Sequence, residues 1–130
     1  CDASAAASML AAHSPSGEWL GTRLSGQQLV APHLMMFETA NALRRLERSG
    51  DLTPDQAAQA HEDLLELGLV LAPYGRLGHR VWTLRAQVSV YDAAYVALAE
   101  ELQAPLVTLD RRLAAAPSLP CRVEVPPLAQ

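Results

Sequence analysis

The sequence predicts an α/β fold of three layers, in which a short, mostly parallel central sheet lies between two layers of helices. Three short apolar runs, at 28–31, 69–72 and 106–109, alternate with longer segments of helical periodicity. Parallel strands covered on both faces are typically continuous in apolar residues, and helices connect them. The 130 residues are enough for one domain with a sizeable core and too few for two.

In the first half of the chain we expect helices at 3–12, 18–24 and 34–48. The first is rich in alanine, and Ser4 is a good candidate for its N-cap. The SPSG sequence at 14–17 predicts a break before the second helix. The third helix has apolar residues along one side, which predicts that this side packs inward.

The second half begins with a strong helix-start pattern. Thr53 is a candidate N-cap, Pro54 takes the first helical position and Gln56 can complete a capping box, so we expect a helix from there to about Leu67. The later elements are predicted in this order: a strand at 69–72, a helix at 77–87, an extended link at 88–90, a helix at 93–102, a strand at 106–109, a short helix or turn at 111–116 and a last strand at 122–125.

Composition excludes several kinds of phosphate chemistry. All ten basic residues are arginine, so the chain offers neither a P-loop lysine nor a Schiff-base lysine. Response-regulator receivers and haloacid-dehalogenase-type phosphatases are disfavoured for the same reason, because both use a lysine beside their aspartates. Cys1 and Cys121 match no zinc spacing and are expected to be free thiols, and no spacing links the four histidines as metal ligands: His13, His33, His61 and His79.

Membrane and export signals are missing from the sequence pattern. No apolar run reaches the length of about 18 residues that a membrane span needs, and no signal peptide is evident. We therefore expect a soluble, cytoplasmic protein with no membrane partner.

Four acids stand at positions where one pocket can collect them. Asp2 and Asp110 fall at strand ends or strand–helix junctions, Asp92 opens a helix, and Glu38 lies near the inward side of a helix. Singly, each Asp can be a plain helix cap and Glu38 a solvated side chain. Because ligands bind outside the carboxyl ends of parallel strands, together they predict a site for a hard cation, Mg²⁺ or Mn²⁺.

Two polar neighbours fit this interpretation. Asn41 lies one turn after Glu38 on the same helix face, where its amide can hold the carboxylate. Thr108 shares a strand face with Asp110, where its hydroxyl can orient a carboxylate or a metal-bound water, although simple β-propensity also explains a threonine there.

Four segments stand out in order along the chain: DAS at 2–4, ETANALRR at 38–45, YDAAYVALAE at 91–100 and TLDRRLA at 108–114. Together they resemble the PIN-domain nucleases, and most closely the VapC-type toxins of bacterial toxin–antitoxin pairs. The resemblance implies one PIN-like nuclease domain over residues 1–130. In that family the first Asp follows a hydrophobic strand, so a strand preceding Asp2 is expected upstream of Cys1.

The resemblance also implies a function, that of a divalent-metal-dependent endoribonuclease that cleaves RNA. A homodimer, inhibited by a small antitoxin bound near the active site, is the implied assembly. The residues that match the family's metal-binding acids are Asp2, Glu38, Asp92 and Asp110, and those that match its polar helpers are Ser4, Asn41 and Thr108.

Other charges and the aromatic residues leave alternatives open. Arg44, Arg45, Arg111 and Arg112 can contact RNA phosphates or simply form solvated faces. The aromatic residues Trp82, Tyr91 and Tyr95 can stack on bases, although core or dimer packing is favoured. The net charge of −4 alone argues against a nucleic-acid partner, but without the four site acids ten acids would face ten arginines.

Two other functions compete with this prediction. The first is a catalytically inactive PIN-fold module that binds a partner or RNA. The second is a DNA-directed nuclease related to flap endonucleases, which are longer and carry further acids and DNA-binding helices.

Overall fold

The computed structural model describes residues 1–11 and 14–128. In these ranges the elements are α1 (Ala3–Ala11), α2 (Pro15–Leu24), β1 (Val30–Pro32), α3 (Leu34–Arg48), α4 (Pro54–Leu65), β2 (Val70–Ala72), α5 (Tyr74–Leu84), α6 (Val90–Leu102), β3 (Leu106–Val107), α7 (Arg111–Ala114) and β4 (Val123–Glu124). The predicted helix end at Ala12 and the predicted placement of His13 lie outside the described residues.

The strands form two parallel pairs, as the alternation of strands and helices predicts. β1 pairs with β2, with Val30 opposite Val70, and β3 pairs with β4, with Leu106 opposite Val123. The start of the chain runs beside β3, because the backbone N–H of Asp2 donates to the carbonyl oxygen of Val107 at 3.0 Å. The two small parallel strand pairs and the many helices confirm the α/β class. A strand preceding Asp2 stays a prediction.

Helix α6 is the centre of the largest hydrophobic cluster. Residues 93–99 are all buried, so this central part of the helix is covered on every side rather than along one stripe. α5 packs against α6, and Leu77, Val81 and Leu84 face the shared core. Trp82, in contrast, is 60% exposed, so it does not pack in the core, which is one of the placements that the sequence left open.

Helix α1 joins three clusters. Ala5, Ala6 and Ala7 are buried, and each belongs to a different cluster. A small side chain at these positions allows neighbours to approach closely. The same requirement holds at Gly17 on α2, where an added Cβ would lie 2.6 Å from the carbonyl oxygen of Ser8 on α1. The alanine-rich start is therefore a packing surface.

Helix starts confirm some predictions and correct others. Thr53 and Gln56 form both bonds of the capping box of α4. The second helix begins at Pro15 rather than at residue 18, so only Ser14 of the break predicted at 14–17 lies outside it; Ser14 accepts a hydrogen bond from the N–H of Gly17 and caps α2, with proline at the first helical position. The extended link at 88–90 is wrong for a similar reason, since Ser89 caps α6 and the helix begins at Val90.

Other predicted bounds shift by a few residues. α5 begins at Tyr74, directly after Pro73, rather than at residue 77, and it ends at Leu84. The strands are only two or three residues long, so Thr108 lies just past β3. No helix within 1–11 and 14–128 is both long and apolar enough to cross a bilayer.

Candidate active site

The four acids predicted from the sequence line one pocket of about 230 Å³. Asp2 directly precedes α1, Glu38 lies in the second turn of α3, Asp92 lies in the first turn of α6 and Asp110 caps α7. Five further residues complete the lining: Ala3, Ser4, Ala42, Arg45 and Tyr95. The fold thus brings together acids that are up to 108 positions apart in the chain.

Three protein donors hold the carboxylate of Asp2. Its Oδ1 accepts from the Ser4 hydroxyl at 2.6 Å and from the N–H of Ala5 at 3.1 Å, while its Oδ2 accepts from the Thr108 hydroxyl at 2.5 Å. The bond from Ala5 is that of an N-cap, so Asp2 rather than Ser4 caps α1. The side chain of Asp2 is 8% exposed and keeps a fixed orientation.

Ser4 and Thr108 also connect Asp2 to the segment that carries Asp110. The hydroxyl of Ser4 accepts from the N–H of Leu109 at 3.1 Å, and the hydroxyl of Thr108 accepts from the N–H of Asp110 at 3.0 Å. These two residues therefore hold Asp2 and Asp110 in a defined relation.

Glu38 is held by Tyr95. The Tyr95 hydroxyl donates to Oε1 of Glu38 at 2.6 Å. Burial, together with this hydrogen bond, raises the pKa of Tyr95 far above its usual value, so the phenol stays protonated and remains a donor. Asn41 is exposed on α3 and has no hydrogen bond to Glu38 among the described residues, so its helper role stays a prediction.

Asp92 and Asp110 lie in different environments. The Oδ1 of Asp110 accepts from the N–H groups of Arg112 and Leu113 at the start of α7. Burial, and then the negative charges of Asp110 and Asp2, raise the pKa of Asp92 above its usual value. A divalent cation in the pocket would remove this repulsion, because it would offset the charges that face Asp92.

The donor set fits a hard divalent cation in its chemistry. The acids supply only oxygen ligands, and the Oε2 of Glu38 and the Oδ2 of Asp110 have no hydrogen-bond donor among the described residues. Within the same ranges, no three His, Cys, Asp or Glu side chains meet closely enough to hold one ion as they stand. The acids thus share a pocket without converging on one point.

The four candidate RNA-binding arginines lie in different surroundings. Arg44 and Arg45 are both exposed, and of the two it is Arg45 that lines the acid pocket. Arg111 donates to the carbonyl oxygen of Pro126 at 2.5 Å, which ties α7 to the chain after β4. The side chain of Arg112 is 95% exposed, and its Nε lies 3.6 Å from Oδ1 of Asp110.

A groove of about 710 Å³ adjoins the acid pocket between α1 and α3. It shares Ser4, Ala42 and Arg45 with the pocket. Its remaining lining includes small and apolar side chains, among them Ala7, Leu46, Leu52 and Leu109.

Comparison with known proteins identifies the class. The PIN-domain family model matches residues 1–119, which is most of the chain. The chain therefore belongs to the PIN-domain family, whose fold is the one described above.

Individual relatives show which type of PIN-domain protein the chain is. Ribonuclease VapC1 of Mycobacterium tuberculosis (strain CDC 1551 / Oshkosh) is 42% identical over 125 residues, which cover 95% of this chain and 94% of that protein. VapC ribonuclease Mb0985 of Mycobacterium bovis is 38% identical over 80% of this chain and 82% of its own length. Ribonuclease VapC3 of Pyrobaculum aerophilum is 37% identical over 87% of this chain and 89% of its own. Within the PIN family, the chain is of the VapC type.

Proposed function

We propose that this protein is a divalent-metal-dependent endoribonuclease toxin, which hydrolyses phosphodiester bonds of RNA and is neutralised by a cognate antitoxin. The observation that carries the proposal is the convergence of Asp2, Glu38, Asp92 and Asp110 on one pocket. The three relatives described above are each named as ribonucleases, which supports RNA as the substrate. We infer further that residues 1–130 form a single nuclease domain, since α1 contributes to all three hydrophobic clusters.

Asp2, Asp92 and Asp110 would hold one or two Mg²⁺ or Mn²⁺ ions directly, and Glu38 would do so directly or through water. Such ions, when bound, supply an activated water and stabilise the negative charge that develops on the phosphate oxygens. Ser4 and Thr108 keep the Asp2 carboxylate turned in one direction through their hydroxyl donors. No lysine or histidine is needed for this chemistry.

Arg45 is the strongest of the four candidate RNA contacts, because it lines the acid pocket. A guanidinium there can bind a phosphate oxygen next to the bond that is cut. Arg44 and Arg112 point from exposed positions and can add phosphate contacts further away. Arg111 is committed to Pro126, which favours a structural role for it.

The antitoxin would occupy the groove between α1 and α3. This groove shares three residues with the acid pocket, so a segment bound in it would also block access for RNA. The homodimer would use the exposed apolar residues of α5, Tyr74 and Trp82. A cytoplasmic location and the absence of a membrane partner stay predictions.

Cleavage of single-stranded RNA by the purified protein tests the proposal. We expect cleavage with Mg²⁺ or Mn²⁺, no cleavage after EDTA and restoration on adding the metal back. Asp92→Asn protein should be folded and inactive. Mapping cut sites on total cellular RNA with both proteins then identifies the target.

The competing functions give different outcomes in the same experiment. A folded wild-type protein that cleaves neither RNA nor DNA would indicate a binding module. Preferential cleavage of DNA would indicate the DNA-directed nuclease, and cleavage that persists in EDTA would refute the metal-dependent mechanism.

A further inference from the structure

Tyr95 connects two of the elements that build the acid pocket. It lies on α6, one turn after Asp92, and its hydroxyl reaches Oε1 of Glu38 on α3 at 2.6 Å. The two residues are 57 positions apart in the chain, and both line the pocket. The bond therefore links a turn that carries one acid to a helix that carries another.

The two partners differ in how firmly the protein holds them. Tyr95 is 4% exposed and lies in the fully buried stretch of α6, within the largest hydrophobic cluster. Glu38 is only half-buried, and a glutamate carboxylate sits at the end of a chain of rotatable bonds. Since the phenol ring is fixed by packing, the direction of the hydrogen bond fixes the carboxylate rather than the reverse.

We infer that Tyr95 is a positioning residue for Glu38: it occupies Oε1 and so presents Oε2 to the pocket as a ligand oxygen. The inference rests on the proposed function, since this orientation matters only if Glu38 helps to hold the divalent ion. Tyr95 contacts the carboxylate and not the reacting phosphate, so it acts through Glu38. Outer partners that orient metal ligands commonly change metal affinity by about 10- to 100-fold when they are removed.

Tyr95→Phe tests this inference because it removes the hydroxyl and keeps the ring in the core. Binding of Mn²⁺ to the metal-free protein is measured from the electron paramagnetic resonance signal of the free ion. We expect the Kd for Mn²⁺ to rise about 10-fold, at the lower end of the usual range. RNA cleavage should fall by a similar factor at low Mg²⁺ and recover in large part at saturating Mg²⁺.

Tyr91→Phe is the matched control. Tyr91 lies one turn earlier on the same helix and is 61% exposed, so loss of its hydroxyl should leave Mn²⁺ affinity within about 2-fold of wild type. A change as large as that of Tyr95→Phe would overturn the inference, because it would show that α6 does not tolerate this substitution anywhere.

A second background separates positioning from a general structural effect. In Glu38→Ala protein there is no carboxylate to orient, so adding Tyr95→Phe should change Mn²⁺ affinity by less than about 2-fold. Equal losses in both backgrounds, or wild-type affinity in the single Tyr95→Phe variant, would refute the role of Tyr95 while leaving the proposed function intact. Wild-type protein that binds no Mn²⁺ would overturn both.

Discussion

The hydroxyl of Thr108 should contribute more to the free energy of unfolding than the hydroxyl of Thr39, which is also buried. Thr108 is fully buried, donates to Oδ2 of Asp2 at 2.5 Å and accepts from the N–H of Asp110 at 3.0 Å. Thr108→Val keeps the shape of the side chain and removes both bonds. The buried carboxylate of Asp2 and the backbone N–H of Asp110 then each lose a hydrogen-bond partner. This loss destabilises the protein more than the loss of an exposed hydrogen bond.

The expected loss follows from the two bonds. A hydrogen bond to a charged group contributes about 1.5–3 kcal/mol and one between neutral groups about 0.5–1.5 kcal/mol. Thr108→Val should therefore lower the free energy of unfolding by about 2–4.5 kcal/mol. Thr108→Ser keeps the hydroxyl and removes one methyl group, so it should cost only about 1 kcal/mol.

Thr39→Val is the matched control, because Thr39 is also fully buried. Its hydroxyl donates only to the sulfur of Met35, at 3.4 Å, and a thioether is a weak acceptor. This substitution should cost less than about 1 kcal/mol. Urea unfolding followed by circular dichroism measures all three variants, with an unchanged slope required for the comparison. If Thr108→Val and Thr39→Val agree within about 1 kcal/mol, the reasoning about the Asp2 network is wrong.

Three further predictions concern charges. Asp92→Asn should raise the stability of the metal-free protein near pH 7, because the raised pKa of Asp92 means that ionisation of its carboxyl destabilises the fold. Urea unfolding in EDTA should show that this gain in stability shrinks as acid protonates the wild-type carboxyl. A variant less stable than wild type near pH 7 would contradict the prediction. Arg45→Ala should raise KM for RNA about 5-fold with little change in kcat, whereas Arg44→Ala should leave KM and kcat within about 2-fold of wild type. Steady-state RNA cleavage measures both variants. Equal effects of the two substitutions would argue against a role for Arg45 in the pocket. Arg23→Ala should slightly lower stability near pH 7, because Arg23 lowers the pKa of Glu124 chiefly through its hydrogen bond. This contribution is present above the usual glutamate pKa and lost below the lowered one, so a loss of stability that persists unchanged in unfolding measurements near pH 3 would refute the assignment.

The sequence predicted helices well where a helix-start signal and a row of apolar residues indicate the same segment. The helix at 34–48 has the predicted bounds, and the capping box of α4 forms as expected. The N-cap of α2 at Ser14 could not be predicted in the same way. SPSG lacks the Gln that completes the capping box at Thr53, and Gly and Ser also favour turns. Strands of two or three residues carry too few positions for their ends to be predicted.

The candidate site could be predicted in part for a topological reason. Acids at strand ends and helix starts of a parallel α/β fold are expected to gather near the carboxyl ends of its strands, and Asp2, Asp92 and Asp110 do line one pocket. Tyr95 could not be assigned to Glu38 in the same way. Within an apolar helix it reads as a core residue, and the partner of its hydroxyl depends on how α3 and α6 pack. Pairings of this kind come from tertiary structure and leave no local pattern.

The burial of α6 has a consequence for motion. A helix covered on all sides exposes its amides to water only when its neighbours separate, so α6 should exchange its amide hydrogens last, through global unfolding. Local openings at α7 or at the ends of α4 would leave it intact. Tyr95 lies in the segment that opens least often and Asp92 directly precedes it, so two of the nine residues that line the acid pocket keep their positions through the smaller fluctuations of the protein.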